Sequence, residues 1–364
     1  MHYALCNYGV VMMPKRRVPG SIRFIDRVKQ GVRFFSLRRI INLLLIELQI
    51  LCKRSKLWGY PPRISIETGN ICNLKCPLCP TGQKTPGVAR GFMSLENYKK
   101  IIDEFGSYLT LLRLYNWGEP LLNRNLLSMV RYSVERGITT TISSNLAMAL
   151  TQDEVRQLLQ AGLTKIFVSC DGAGSESYEK YHIGGSFDQV AGNMKLLVQE
   201  KQKLPHCYTR IIWLFHVFRH NEHEVDAAKR MAEEIGVEIR VNKMRTDMGK
   251  EIFEAARESI ERDTQWIPED PKYCAFDMEH KEVKAKKSFC DLPWKETVIN
   301  WDGSVLPCCS VFEEKYSYGD AFKKNFREVW NDKKYLAARR ELLGKKNEGE
   351  TICHICKASG FTHF

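Results

Sequence analysis

Short apolar segments alternate with amphipathic segments from residue 63 to residue 241. The apolar segments are rich in β-branched and aromatic residues and are bounded by turn residues, which is typical of buried strands. The segments between them repeat their apolar positions at helical spacing. We predict strands at Arg63–Glu67, Thr110–Tyr115, Ile138–Ser143, Lys165–Ser169, Tyr208–Phe218 and Val237–Val241, each followed by a helix or a helix-containing connection.

Capping residues and glycines mark the predicted helix boundaries. Ser94 and Thr151 are N-caps, and Glu154 completes a capping box with Thr151. Gly106 and Gly162 end the same two helices. Strands that alternate with helices in this way predict an α/β fold with a parallel sheet, and six units predict a partial (β/α)6, TIM-like barrel.

The pattern divides the chain into four segments. A basic amphipathic arm occupies residues 1–57, the barrel residues 58–245, and a polar linker residues 246–270. Residues 271–364 form a small, turn-rich and cysteine-rich α+β domain.

The net charge of +12 is concentrated in the arm. Residues 1–57 contain 12 Lys and Arg against Asp26 and Glu47, a net charge of +10, which leaves +2 for the rest. Apolar positions recur at helical spacing from Ile22 to Phe35, and Ile40–Leu51 is almost continuously apolar. That run is shorter than the roughly 20 residues that span a bilayer. Two interpretations remain open: the arm binds an anionic membrane surface, or its apolar face docks on the barrel. Binding of the arm to nucleic acid is a third, weaker alternative.

Cysteine usage indicates the cellular compartment. The chain has 13 cysteines, an odd number, and its N-terminus lacks the pattern of a secretory signal. Clustered thiols without a signal favour a reducing cytosol over a disulfide framework. We therefore expect a cytoplasmic protein, with the arm allowing peripheral association with the inner face of a membrane.

Three cysteines lie in one loop directly after the first strand of the barrel. Cys72, Cys76 and Cys79 follow a C-x3-C-x2-C spacing. Three thiolates can bind three irons of an iron–sulfur cube and leave the fourth iron open for chemistry. A zinc loop or three unrelated buried thiols is the alternative, but zinc sites are usually built on C-x2-C pairs.

Polar side chains also follow the next strands. Gly118-Glu119, Ser144-Asn145 and Cys170-Asp171-Gly172 come where the second, third and fourth strands end. The carboxyl ends of parallel strands share one edge of a barrel, where active sites form. The cysteine loop and these turns are therefore expected at one site.

The C-x3-C-x2-C loop and the Gly118-Glu119-Pro120 turn resemble those of radical S-adenosylmethionine (SAM) enzymes. The resemblance implies a 4Fe-4S cluster on Cys72, Cys76 and Cys79, with SAM bound to the open iron. It also implies a hydrogen-abstracting radical formed with an electron from a reductant such as flavodoxin or ferredoxin. The SAM-binding positions that it implies are Gly118, Glu119, Ser144, Asn145, Ser169 and Asp171.

Three positions depart from that family pattern. Trp117 stands where a glycine is usual, and Leu78 replaces an aromatic residue before the third cysteine. His182 stands where many relatives have an arginine that contacts the SAM carboxylate. A histidine can still donate a hydrogen bond there, but its charge depends on pH near neutrality.

The C-terminal segment carries a second set of thiols. Asn300–Gly303 predicts a hairpin turn that brings Cys290 and Cys308 onto adjacent strands, and Cys353 and Cys356 form a late C-x2-C pair. This arrangement resembles the SPASM/twitch auxiliary-cluster domain and implies a second, fully ligated 4Fe-4S cluster. A structural zinc site on the same four cysteines is the alternative.

The resemblance predicts a radical SAM oxidoreductase. A fully ligated second cluster can accept an electron, which suits oxidation of an alcohol on a small-molecule, glycan or lipid-linked substrate such as a sugar or cyclitol. A radical SAM enzyme that modifies peptides or proteins is the first alternative. A non-catalytic iron–sulfur or zinc-binding protein is an alternative from another class.

Overall fold

The computed structural model describes residues 10–12, 36–244, 256–284, 289–346 and 351–358. The predicted amphipathic segment Ile22–Phe35 lies outside the described residues.

Six parallel strands form the centre of the fold, as predicted. They pair in sequence order, and each strand is parallel to the next. The strands are β2 (Arg63–Ile66), β3 (Leu111–Arg113), β4 (Thr140–Ser144), β5 (Lys165–Ser169), β6 (Arg210–Val217) and β7 (Glu238–Lys243). The predicted partial barrel is confirmed. Strand β3 is shorter than the predicted strand Thr110–Tyr115, because only its three central residues form a regular strand.

Helices cover the outer face of these strands. They are α2 (Leu95–Phe105), α3 (Leu126–Glu135), α4 (Gln152–Gln160), α5 (Ser175–Tyr181), α6 (Phe187–Lys203) and α7 (Val225–Ile235). The Ser94 side chain accepts a hydrogen bond from the Asn97 amide, and Thr151 and Glu154 form the predicted capping box. The sequence did not indicate α5, whose seven residues are too few to show a clear helical period.

The first helix of the described chain, α1 (Leu37–Leu51), confirms that the apolar run is helical. Its orientation was not predicted, because Arg39, Asn42 and Gln49 are buried whereas most of its leucines are exposed. No helix in the described ranges is both long and apolar enough to cross a bilayer.

The cysteine-rich segment extends the barrel sheet. Strand β10 (Glu296–Ile299) pairs in parallel with β2, and β11 (Ser304–Leu306) and β12 (Gly319–Asp320) follow antiparallel. A short strand, β1 (Val10–Met12), closes the other edge against β7. Together with the six barrel strands, these four strands form a ten-stranded sheet.

The remaining elements are short. They are α8 (Ala256–Asp263), β8 (Phe276–Asp277), β9 (Glu282–Val283), α9 (Leu292–Lys295), α10 (Phe326–Trp330), α11 (Lys333–Leu342) and α12 (Ile352–Ala358). Helix α8 lies within the predicted linker 246–270, and its buried Ile260 packs in one cluster with Phe218 of the barrel. The four segment boundaries remain predictions.

The predicted hairpin at Asn300–Gly303 is confirmed by the pairing of β10 with β11. Gly303 has φ = 92°, a left-handed conformation that glycine adopts readily. The expectation that Cys290 and Cys308 lie on the paired strands is wrong. Cys290 precedes α9, and Cys308 follows β11 in a bend, because each strand ends before its cysteine is reached.

The inner face of the barrel carries several polar side chains. Alternation along each strand places Ile64, Ile66 and Ile142 toward the helices, and it places Ser65 and Ser143 toward the interior. By the same alternation, inward positions are held by Arg113, Phe167, Ser169, His216, Arg240 and Asn242. All except Arg240 are buried, and the register places the apolar Ile212 and Leu214 inward as well, so the barrel interior contains both polar and apolar side chains.

Candidate functional site

The cysteine loop is fixed by backbone hydrogen bonds to neighbouring turns. The amide of Glu119 donates to the carbonyl of Ile71 over 2.9 Å, and the amide of Lys75 donates to that of Ile183 over 2.9 Å. Within the loop, the amide of Cys79 donates to the carbonyl of Cys76 over 3.2 Å. The loop is thus attached to the turn after β3 and to the end of α5.

The three thiols of the loop influence one another electrostatically. Burial raises the pKa of Cys72 to about 12, and the nearby Glu119 and Cys79 add to the rise. Burial also raises the pKa of Cys76, with further contributions from Cys79 and Cys72. Cys72 and Cys76, whose pKa values are raised in this way, would stay protonated without a cation, and a bound metal would hold them as thiolates.

In the described part of the chain, no three His, Cys, Asp or Glu side chains converge closely enough to ligate a single metal ion.

Glu119 lies at the centre of a buried hydrogen-bond network beside the cysteine loop. Its carboxylate accepts from the Ser144 hydroxyl and from the Asn145 amide, each over 2.8 Å. The Asn145 side chain lies 3.6 Å from the Cys72 sulfur and donates to Asn73 over 2.9 Å. Burial raises the pKa of Glu119 to about 7, although these hydrogen bonds oppose the rise. Glu119, Ser144 and Asn145 are therefore brought together, as predicted from their strand ends.

Gly118 occupies a position that admits no side chain. A Cβ atom there would lie 1.9 Å from the carbonyl oxygen of Gly69. Without that atom, the turn after β3 can pack directly on the start of the cysteine loop.

Asp171 lies between two histidines. His182 Nε2 lies 3.0 Å from one carboxylate oxygen, and His216 Nδ1 lies 2.9 Å from the other. Burial raises the pKa of Asp171 and the imidazoles lower it, with a net shift to well below the usual range. The other ring nitrogen of His182, Nδ1, lies 3.5 Å from the Cys76 sulfur. Asp171 is thereby connected to the cysteine loop through His182.

Ser169, the last predicted position, ends β5 with a buried hydroxyl. Within the described residues, its oxygen has no hydrogen-bond partner. The same holds for the hydroxyls of Ser65 and Ser143 and for the Asn242 carbonyl oxygen. A buried polar atom without a partner is costly, so a ligand that pairs with these atoms would stabilise the interior.

The thiols of the second set also influence one another electrostatically. Burial raises the pKa of Cys308, and Cys353, Cys356 and Cys290 all add to the rise. Burial raises the pKa of Cys353 to about 12, with Cys290 as the next contributor. The four predicted cysteines are therefore neighbours, whereas Cys309 is buried in the core.

An apolar cluster lies between the two thiol sets. Leu78 and Phe218 belong to it, and Cys76 and Cys356 both pack against it. The two sets are thus linked through the core rather than placed on separate surfaces.

Three residues of this region were missed from the sequence. His216 and Asn242 lie on inward strand positions, and Asn242 donates to His216 Nε2 over 3.2 Å. Glu67, at the end of β2, is buried and accepts from the Trp117 amide over 3.3 Å. A charged or polar residue at an inward position of an otherwise apolar strand is the only sequence signal for them.

Comparison with known proteins identifies the class. Residues 66–230 match the model of the radical SAM superfamily, and residues 290–357 match that of SPASM, an iron–sulfur cluster-binding domain. The chain therefore belongs to the radical SAM superfamily and carries a C-terminal SPASM domain.

Curated relatives have different described activities. An AdoMet-dependent heme synthase of Methanosarcina barkeri is 24% identical over 334 residues, which cover 83% of this chain and 92% of the relative. A PqqA peptide cyclase of Rhodopseudomonas palustris is 27% identical over 130 residues, covering 35% of this chain and 33% of that protein.

A solved structure of SuiB from Streptococcus suis, bound to S-adenosylmethionine, is similar in fold. The TM-score is 0.58 at 17% identity, covering 80% of this chain and 70% of SuiB.

The protein is a radical SAM enzyme, whose family implies a 4Fe-4S cluster with SAM and further iron–sulfur binding in the SPASM domain. The two thiol sets have the donor chemistry that such clusters take. The unpaired Ser169 hydroxyl is also compatible with a ligand at the barrel mouth.

Proposed function

We propose that this radical SAM enzyme oxidises an alcohol on a hydroxylated substrate bound inside the barrel. In this proposal Cys72, Cys76 and Cys79 hold the first cluster, and Cys290, Cys308, Cys353 and Cys356 hold the second. When bound, SAM and the first cluster supply a radical that takes a hydrogen atom, and the second cluster supplies an acceptor for one electron.

The proposed SAM site consists of residues at three neighbouring strand ends. Gly118 and Glu119 orient the amino group of SAM, with Ser144 and Asn145 fixing the Glu119 carboxylate. Ser169 completes the site, and we assign Asp171 to positioning His182 against the cysteine loop.

The substrate class is supported by one observation, the unpaired polar atoms of the inner barrel face. Ser65, Ser143 and Asn242 each present a buried oxygen without a partner among the described residues. A substrate rich in hydroxyl groups can donate to and accept from such oxygens, whereas an aliphatic one would leave them unpaired.

In this proposal, His216 accepts the proton of the substrate hydroxyl. Burial lowers the pKa of His216, which favours the neutral imidazole. Its Nδ1 faces the Asp171 carboxylate, which leaves Nε2 as the acceptor toward the Asn242 side chain. A substrate hydroxyl that takes the place of the Asn242 amide at His216 Nε2 would transfer its proton to that nitrogen as the carbon loses a hydrogen atom.

The test follows a labelled hydrogen atom. Anaerobically reconstituted enzyme is incubated with SAM, dithionite and sugars or cyclitols that carry deuterium at their alcohol carbons. We expect deuterium in 5′-deoxyadenosine and a ketone or aldehyde product. Deuterium that comes only from labelled peptides would instead identify a peptide-modifying enzyme and overturn the proposal.

A pair of serine variants tests the substrate contact. Ser143→Ala should lower kcat/KM for the hydroxylated substrate about tenfold, the effect of about 1.4 kcal/mol from one lost hydrogen bond. Ser128→Ala, at an exposed position of α3, serves as the matched control and should leave it unchanged.

A second candidate function rests on how much of one relative the sequence similarity covers. The similarity to an AdoMet-dependent heme synthase extends over 92% of that relative, which supports action on a porphyrin. Incubation with porphyrins under the same conditions, read by the product's absorption spectrum, separates this candidate from alcohol oxidation.

A further inference from the structure

Helix α1 presents a stripe of aliphatic side chains to solvent. Leu37, Ile41, Leu44, Leu48 and Leu51 recur every three or four residues, so they lie on one face of the helix. Their exposed fractions range from 55% to 78%. We refer to these five residues as the aliphatic stripe.

The opposite face of α1 is polar and fixes this orientation. The Arg39 guanidinium donates to the carbonyl of Arg136 over 3.0 Å, and Arg39 is buried. Asn42 exchanges two hydrogen bonds with the backbone of Tyr60, over 2.8 and 2.9 Å. Turning the aliphatic stripe inward would break these buried contacts and leave their partners unpaired. The stripe is therefore held outward by the fold itself.

A cavity of about 550 Å³ borders the stripe and is lined by cations. Leu48 belongs to both, and Trp58 lines the cavity with an exposed fraction of 67%. No carboxylate is among the described residues that line it. Its five cations, which define the basic groove, are Lys53, Arg54, Lys56, Arg340 and Lys345.

Lys53 occupies a backbone conformation that normally favours glycine. Its φ is 49°, at the residue that follows the C-cap of α1. The Lys53 amide donates to Ile50 and the Arg54 amide to Gln49, which is the hydrogen-bond pattern of a Schellman turn. A lysine at this position places a cation at the groove where glycine would strain the backbone less.

We propose that the aliphatic stripe and the basic groove dock the protein on the surface of an anionic phospholipid bilayer. The stripe enters the boundary between headgroups and acyl chains, while the groove cations face the lipid phosphates. Trp58 suits the interface because its ring has an apolar body and a polar edge.

The charge of the chain favours this occupant over a second copy of the protein. Residues 13–35, which precede α1 along the chain, carry seven Lys and Arg and one Asp. Two copies packed stripe to stripe would bring two basic grooves together and repel each other. An anionic bilayer is complementary to both features, and this docking does not depend on the proposed function.

The test is flotation of the full-length protein with lipid vesicles. We expect binding to vesicles of phosphatidylcholine with a quarter phosphatidylglycerol, weak binding to phosphatidylcholine alone, and weaker binding at 0.5 M than at 0.1 M NaCl. The double variant Leu44→Gln/Leu48→Gln should reduce the partition coefficient at least tenfold. Met278→Gln, which changes an exposed apolar residue elsewhere, should not.

A second variant separates binding from folding. Lys53→Gly should keep or raise the thermal midpoint and still weaken vesicle binding several-fold, while the exposed Lys195→Gln binds as the wild type does. Equal vesicle binding by the wild type and the leucine variant would overturn the proposal. A dimer in solution that the leucine variant abolishes would also overturn it, since the stripe would then be an interface between copies.

Discussion

Three buried carboxylates at the barrel mouth occupy different electrostatic environments. Burial raises the pKa of Glu67 to about 8 and that of Glu119 to about 7. The pKa of Asp171 instead falls, because two imidazoles outweigh the effect of burial. Similar side chains therefore differ in charge near neutral pH, according to their partners.

Glu67 should make stability depend on pH. Its folded-state pKa lies above the unfolded value, so its contribution is most favourable at low pH and declines as pH rises through about 8. Between pH 5 and 8, the unfolding free energy should fall relative to that of Glu67→Gln by a few kcal/mol, on the order expected for a buried carboxyl. Chemical denaturation of both proteins at each pH measures the difference, and parallel curves would contradict it.

His182 should affect the cluster beside Cys76. The variant His182→Phe keeps a ring beside Tyr178, whose centroid lies 4.7 Å from that of His182, but it removes the nitrogen that faces the sulfur. Hydrogen bonds to cluster sulfurs raise the reduction potential, so the variant should shift it downward by roughly tens of millivolts.

A redox titration followed by electron paramagnetic resonance, without SAM, measures that shift. His220→Phe is the control, because His220 contacts the Ser177 carbonyl on the same side of the barrel. A potential that is equal in all three proteins would show that His182 does not act on the cluster.

Sequence patterns identified the residues that occur at fixed spacings. Cys72, Cys76 and Glu119 were predicted at one site, and the structure places them beside one another. His216 and Asn242 were not predicted, because each is a single polar residue on a buried strand. Their partners come from distant segments that only the folded sheet brings together.

At the scale of elements, close backbone contacts decide how the turns after the strands pack. The turn after β3 approaches the cysteine loop so closely that Gly118 faces the Gly69 carbonyl. For helix α1, the sequence pattern alone does not determine which face is buried. Its apolar positions predicted an amphipathic helix, but only the hydrogen bonds of Arg39 and Asn42 determine which face turns outward.

Gly118→Ala should destabilise the protein by about 1–3 kcal/mol, as overpacking does, and should also weaken SAM binding. Gly192→Ala is the matched control, since nothing lies within 4 Å of an added Cβ at that helical position. The control variant Gly192→Ala should stabilise the protein by about 0.5–1 kcal/mol. Thermal unfolding and SAM titration of both variants provide the measurement, and equal effects would contradict the packing explanation.

We expect Arg339 to stabilise the fold of the cysteine-rich C-terminal segment. It is fully buried and donates to the carbonyls of Pro293, Ser55 and Trp330 over 2.8–3.1 Å. Arg339→Met should lower the unfolding free energy by about 2–4 kcal/mol because three buried acceptors lose their donor.

The exposed neighbour Arg340 provides the comparison. Arg340→Met should change the unfolding free energy by less than about 0.5 kcal/mol, as most surface substitutions do. Urea unfolding of the two variants tests the contrast, and similar losses would show that burial of Arg339 contributes little.

At the scale of the whole molecule, one sheet carries both thiol sets. The partial barrel was predictable because six strands and their helices follow a regular alternation. The pairing of β10 with β2 was not, since their residues are separated by more than 200 positions and no local pattern links them. This pairing joins the cysteine-rich segment to the barrel, with the Leu78 and Phe218 cluster packed against cysteines of both sets.

The most direct test of the central claim measures SAM cleavage in protein whose iron content is known. Reconstituted wild-type protein should bind about eight irons and form 5′-deoxyadenosine from SAM and dithionite. The variant with Cys72, Cys76 and Cys79 changed to Ala should keep about four irons and form none. A wild-type protein with its full iron content that forms no 5′-deoxyadenosine would contradict the account.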